Sequence, residues 1–379
     1  MRIEQTCWAE TTGWTPAPPG RLGGTAQLTL LFGSRAILKE KPLLTEVTEA
    51  YPNAHLMGCS TAGEICGTRV LDESLIVTAV HFDDTHVKGA STTIAEKEDS
   101  FAAGERLAQS LEKDGLVHVF VLSDGLAING SELVKGLVKG LPDGVTVTGG
   151  LSGDGERFQE TLVVWDGAPQ SRLIAALGLY SNRLRVGYGS LGGWDSFGPE
   201  RLVTRSKGNV LYDLDGKSAL ALYKQYLGDH AAGLPATGLM FPLSVRIRGE
   251  ATGVVRTVQS VDERQQSMTF FGDIPEGSYA QLMKTNFDRL IDGAVRAAKA
   301  SSEVAGSSST DLAVLISCVG RKLVLKQRIE EEIESIQGVL GTQTVLTGFY
   351  SYGEIAPIMS STKCELHNQT MTITTFSER

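Results

Sequence analysis

Short apolar runs alternate along the chain with stretches of helical spacing. Residues 26–34 (AQLTLLFGS) form an apolar run closed by Gly and Ser, the pattern of a buried strand. Ile37, Leu38, Leu43, Leu44 and Val47 then recur at helical spacing until Pro52 ends the helix. HLMGC runs as a strand into a glycine motif, and SLIVTAVHF (74–82) is another strand, so the unit reads β-α-β-β. The order returns at 117–125 (VHVFVLSDG), a helix from about 130 to 139, 145–155 (VTVTGGLSGDG) and 161–167 (TLVVWDG). It returns again at 312–320 (LAVLISCVG), a helix around 323–336, 344–357 (TVLTGFYSYGEIAP) and the closing MTITTF.

The glycine ending each first strand precedes the glycine opening each motif by 25, 24 and 28 residues (Gly33 to Gly58, Gly125 to Gly149, Gly320 to Gly348). GCSTAGEI (58–65) and GFYSYGEI (348–355) also share the frame G-x-x-[ST]-x-G-E-I. Spacing and frame together predict one supersecondary module used three times. The paired glycines point to positive φ or close backbone approach, and the acid after the second glycine points to a site.

Between the second and third units the chain is rich in strands and glycine, with a helix over 217–226, a boundary near 230 and a helix from about 286 to 300. SSEVAGSSST (301–310) reads as a flexible connector, and the Pro- and Gly-rich residues 1–25 as a loosely held arm. The expected fold class is α/β (mixed α+β): two layered domains, 26–229 and 230–379, built from repeated β-α-β-β units with mixed sheets.

The chain has 379 residues, enough for two domains of ordinary size. With 44 acidic against 35 basic residues, the net charge of −9 disfavours nucleic acid and anionic membrane as partners. The start MRIEQTCWAETTGW lacks an apolar signal region and no run of eighteen apolar residues occurs, so a cytoplasmic location is expected. Five scattered cysteines without a C-x-x-C pair suggest reduced thiols rather than a disulfide framework or zinc ribbon.

Gly187, Gly189 and Gly192 fit G-x-G-x-x-G, but GWDSFGPE follows and no helix begins there to hold a pyrophosphate. Ser60 lacks the glycine at position 62 that a nucleophile elbow needs, since Ala62 stands there, and sequence alone sets no histidine against Ser60 or Cys59. His367 leads into Asn368-Gln369-Thr370-Met371, a polar cluster before the terminal strand: either a solvated turn or a ligand site. Tyr350 and Tyr352 offer walls for a flat ligand or plain core. Glu64 and Glu354 are read first as holding their turns and second as contacting a ligand. Gly58, Ser60 and Thr61 line the first motif.

With GCSTAGEI, TGGLSGDG (148–155) and GFYSYGEIAP in order, the chain resembles the FIST family, with an N-terminal and a C-terminal FIST domain, over nearly everything beyond residue 25. The resemblance implies a sensory ligand-binding module of bacterial signal transduction, for which amino acids are among the proposed ligands. Stand-alone members of this length are similar to FIST proteins that bind haem b, sense nitric oxide and regulate a histidine kinase or cyclic-di-GMP enzyme. On that resemblance His367 is the candidate haem iron ligand, and the absence of an output segment implies a separate signalling partner. The alternatives are a FIST sensor for a small metabolite held at the glycine motifs and, as a minor one, an enzyme using Cys59 or Ser60.

Overall fold

The computed structural model describes residues 1–250, 253–306, 309–357 and 364–378. Each repeat founds one mixed sheet. Its first central strand (Leu28–Gly33, Leu116–Ser123 or Leu312–Cys318) pairs in parallel with the second (His55–Ser60, Thr146–Leu151 or Val345–Ser351). A crossover helix joins them: Lys41–Ala50, Gly130–Gly140 or Ile329–Leu340. The last strand (Ser74–His81, Leu173–Tyr180 or Met371–Glu378) returns antiparallel on the other side of the first. This is the mixed α/β architecture that the periodicity predicts, except that the second unit closes with Leu173–Tyr180 and not with 161–167, of which Val163–Trp165 pairs in the first sheet.

Two features lie beyond the predicted unit. An outer strand (Arg2–Ala9, His86–Thr93 or Leu184–Leu191) pairs along each last strand. The short strand after each glycine motif, moreover, leaves its own repeat. Glu64–Cys66 joins the third sheet, Val163–Trp165 the first and Gly353–Pro357 the second. The exchange is cyclic, so every sheet is completed by another repeat. Phe32, Phe120, Ile316, Phe349 and Phe376 fill the core where the sheets face one another, with the Phe32 and Phe349 rings 4.8 Å apart.

The N-terminal segment is therefore not a loose arm. Arg2–Ala9 keeps an eight-residue register with Ser74–His81, and its buried Glu4 accepts the backbone N–H groups of Gly20, Arg21 and Leu22. A buried carboxylate that satisfies three amides fixes the following turn as firmly as an apolar contact does. Gly187 and Gly189 are packing positions rather than a phosphate loop. A Cβ there would lie 2.0 Å from the Ser301 carbonyl and 2.1 Å from that of Ala297, both on helix Phe287–Ala305. That helix also takes up residues 301–305 of the expected connector, of which 307–308 lie outside the described residues.

Residues 195–284 are an insertion in the third repeat: an eight-stranded antiparallel sheet around helix Ala219–Leu227. Its own core includes Val203, Leu211, Tyr223, Met268 and Phe270. Residue 230, the expected boundary, sits in the 3-10 turn Gly228–Gly233 within this unit.

Candidate functional site

The three glycine motifs meet. Ala62 N–H donates to Tyr350 O (2.8 Å), Gly153 N–H to Ser60 O (2.8 Å) and Tyr352 N–H to Leu151 O (3.2 Å). Donors and acceptors occupy matching positions in the three motifs, so the bonds form a closed ring. Gly58, Gly149 and Gly348 lie opposite Leu31, Val121 and Leu315, where the strands approach too closely for a side chain.

Both oxygens of each carboxyl in the ring are hydrogen-bonded within the fold. Glu64 accepts from the Thr61 hydroxyl and from the hydroxyl (2.7 Å) and N–H (3.2 Å) of Ser74. Glu354 repeats the arrangement with the Ser351 hydroxyl (2.6 Å) and the hydroxyl (2.9 Å) and N–H (3.2 Å) of Thr370. Both carboxyls are buried, and each ties its motif to the start of the last strand of its own repeat. These contacts are those of a turn-holding carboxyl. Desolvation pushes both up to about 8, against the pull of the hydrogen bonds.

A pH dependence follows. With folded values near 8 and an ordinary value of 4.5, the folded chain binds more protons between these limits. The stabilisation is complete below the unfolded value and is lost as pH rises through about 8. Denaturant melts are expected to show stability falling across that window by up to about 1.4 kcal/mol per pH unit for each group. Glu64→Gln and Glu354→Gln should each flatten the slope. A slope left unchanged by both substitutions would show that neither carboxyl takes up a proton on folding.

The other predicted site residues are satisfied internally as well. Ser60 Oγ accepts from Leu162 N–H (2.8 Å), and Cys59 is fully buried with its thiol pushed far up by desolvation, so neither presents a nucleophile. The Tyr350 hydroxyl donates to Glu332 (3.2 Å), and that of Tyr352 to Asp154 and the Gly155 carbonyl (2.9 Å). Asn368 accepts from Thr257 N–H (3.3 Å) and donates to the His367 carbonyl (2.9 Å). His118, in an apolar strand, is held between the hydroxyls of Thr146 and Thr148.

His367, the candidate haem ligand, ends strand Cys364–His367, which pairs with Gly353–Pro357. Its ring is buried, and Nε2 faces the Ala356 carbonyl at 3.0 Å. A carbonyl only accepts, so Nε2 carries the proton, and in the neutral ring the lone pair is on Nδ1. Among the described residues no group of three or more His, Cys, Asp or Glu side chains is placed to hold a metal ion.

The better site lies where the insertion meets the second repeat. A cavity of about 150 Å³ opens between helix Gly130–Gly140, strand Cys364–His367 and the insertion strands Leu243–Arg246 and Val254–Arg256. Val134, Val245, Val254 and Leu366 give it apolar walls, and Ser131, Lys135, Asp273 and Arg256 give it polarity. Arg256 is 4% exposed, yet its guanidinium donates only to carbonyls: Asp273 (3.0 Å), Val255 (3.1 Å) and Leu366 (3.0 Å). One terminal nitrogen has no hydrogen-bond partner among the described residues, and no carboxylate there reaches ion-pair distance. The Asp273 carboxylate is taken by Asn129 and Lys135, each at 2.8 Å. Burial accordingly lowers the Arg256 pKa. Sequence reasoning passed over this residue, although an arginine inside GVVRTVQSV interrupts an apolar strand and was signal enough.

A larger groove, about 1020 Å³ and open to solvent, runs between helix Lys41–Ala50 and residues 166–169. The His55–Asp166 pair (2.8 Å) stands on its rim, half-exposed. Among the described residues no buried unpaired charge faces it.

A mixed α/β protein whose glycine motifs are structural, with a polar cavity beside an inserted sheet, has the build of a ligand-binding module. Comparison with known families names it: the FIST N domain matches residues 27–217 and the FIST C domain residues 219–357. The chain belongs to the FIST family, whose domains generally serve as sensors in signalling. An uncharacterized protein of Methanocaldococcus jannaschii is 24% identical over 325 residues, covering 78% of this chain and 60% of that protein, so the chain spans three fifths of that relative's length. The crystal structure of cyanuric acid hydrolase from A. caulinodans aligns with 78% of this chain and 99% of its own at 12% identity, with a TM-score of 0.19 that carries no argument. Among the described residues no helix is long and apolar enough to cross a membrane.

Proposed function

We propose that the protein is a sensory module that binds a small carboxylate or oxyanion metabolite in the Arg256 cavity and reports to a separate signalling protein, a histidine kinase or cyclic-di-GMP enzyme. The observation that carries this reading is the buried guanidinium without a carboxylate partner. A buried charge held by carbonyls, with the Asp273 and Glu365 carboxylates acting on it only from a distance, is completed by an anion in hydrogen-bond contact. Lys135 and Ser131 stand beside it for a second polar group, and the volume suits an amino-acid-sized molecule rather than the about 300–1,000 Å³ of drug-sized sites.

The position also suits signalling. Arg256 to Leu366, and Asn129 and Lys135 to Asp273, are contacts between the insertion and the repeats. An anion that draws Arg256 toward itself alters them, and the ligand switches the molecule to the extent that it prefers one arrangement.

The test is a thermal-shift and calorimetric screen with L-glutamate, L-aspartate, succinate and inorganic phosphate at millimolar concentration. At least one is expected to raise the melting temperature of the wild type and to lose at least tenfold in affinity in Arg256→Met. Ile247→Trp, which fills the cavity from an exposed position, should block the same ligand without disturbing the fold. Haemin belongs in the screen as the competing ligand, and it is expected to give no stoichiometric Soret band. Binding that survives both substitutions, no binding by any probe, or a stoichiometric Soret band abolished in His367→Ala would overturn the proposal.

A further inference from the structure

Of the five cysteines, Cys59, Cys318 and Cys364 are buried, and desolvation raises the pKa of each thiol. Cys7 and Cys66 are the half-buried pair, and they come from different sheets. Cys7 lies on the outer strand of the first sheet, opposite Ile76, whereas Cys66 ends the exchanged strand that pairs with Thr347 in the third. The side chain of Gln5 locks these two strands together. Its amide donates to the Leu346 carbonyl (2.9 Å), and its oxygen accepts from Cys66 Sγ (3.5 Å). Cys7 lies two residues further along the same face of its strand, which sets its thiol beside Gln5 and Cys66. The neighbouring Cys66 thiol and the Arg69 cation lower the Cys7 pKa, while Cys7 and burial raise that of Cys66.

We propose that Cys7 and Cys66 are a peroxide-reactive pair that closes into a disulfide, stapling the first sheet to the strand exchanged into the third. In the first step the Cys7 thiolate attacks hydrogen peroxide. An S–O bond forms, the O–O bond breaks and hydroxide leaves, taking a proton to become water. In the second step the Cys66 sulfur, giving up its proton, attacks the Cys7 sulfenic acid. The S–S bond forms, the S–O bond breaks and a second water leaves. Two thiols and one peroxide give one disulfide and two waters, and the two electrons lost by sulfur reduce the peroxide.

The experiment uses the full chain, first reduced and desalted and then treated with stoichiometric hydrogen peroxide. Thiols titrated after denaturation should fall from five to three, with a Cys7–Cys66 cross-linked peptide two hydrogens lighter in the mass spectrum. Dithiothreitol should restore five. In Cys66→Ser the first step proceeds without the second, so dimedone should label Cys7. Cys7→Ser should leave Cys66 unreacted. A count that stays at five, a cross-link mapping to Cys59, Cys318 or Cys364, or dimers in place of the internal disulfide would overturn the assignment.

Discussion

Arg321→Met is expected to lower folding stability by roughly 3–5 kcal/mol, because it leaves a carboxylate buried without its counter-ion. Arg321 and Glu332 are both fully buried and joined through Nε (3.0 Å) and Nη2. The guanidinium also donates to the carbonyls of Leu290 (2.8 Å), Gly192 and Gln369, while Glu332 accepts from Ser317 (3.4 Å) and Tyr350 (3.2 Å). The pair thus joins helix Phe287–Ala305, the end of the outer strand and the turn before the last strand to one crossover helix. Denaturant melts of Arg321→Met, Glu332→Leu and the double variant separate the causes. If the uncompensated charge dominates, the double variant recovers most of the loss. If it is as unstable as Arg321→Met, the orphaned carbonyls account for the cost.

The pattern of what could be read from sequence follows from where partners lie. Of the nine central and last strands, eight are apolar runs that local periodicity places in their unit; the ninth, Leu173–Tyr180, is as apolar, but TLVVWDG comes before it and takes its place in the expected unit. The outer strands are harder, since Arg2–Ala9 buries Glu4 and Thr6 and Leu184–Leu191 carries the glycines that admit a helix. The exchanged strand Glu64–Cys66 has three residues, too few for any period, so the cyclic exchange leaves no trace in the pattern. Asn368, Gln369 and Thr370 are buried, as an unusual polar cluster suggests, but their partners are Thr257, Leu239 and Glu354. Two of those belong to the insertion, more than a hundred residues away, and no spacing rule reaches that far. Arg256 differs: an arginine inside an apolar strand is legible in the sequence, but its acceptors, the carbonyls of Asp273 and Leu366, are not.

The largest effect is expected at Gly348. A Cβ built there lies 1.8 Å from the Leu315 carbonyl oxygen, against 1.9 Å at Gly149 from Val121 and 2.2 Å at Gly58 from Leu31. No rotamer relieves a clash between Cβ and backbone, so Gly348→Ala must drive the two central strands of the third sheet apart. Tyr350, two residues on, both accepts from Ala62 N–H and donates to Gly63 O, so the same displacement opens the ring linking the three repeats. A cost above about 4 kcal/mol is expected, enough to leave little soluble folded protein. Gly149→Ala should be nearly as severe and Gly58→Ala somewhat less so. Gly338→Ala is the control: nothing lies within 4 Å of its Cβ position in helix Ile329–Leu340, and alanine there should stabilise by up to about 1 kcal/mol. Soluble yield and thermal melts of the four variants give the comparison. A Gly348→Ala protein that folds as stably as the wild type would mean that the parallel strands are not packed at this distance, and that the paired glycines serve something other than close approach.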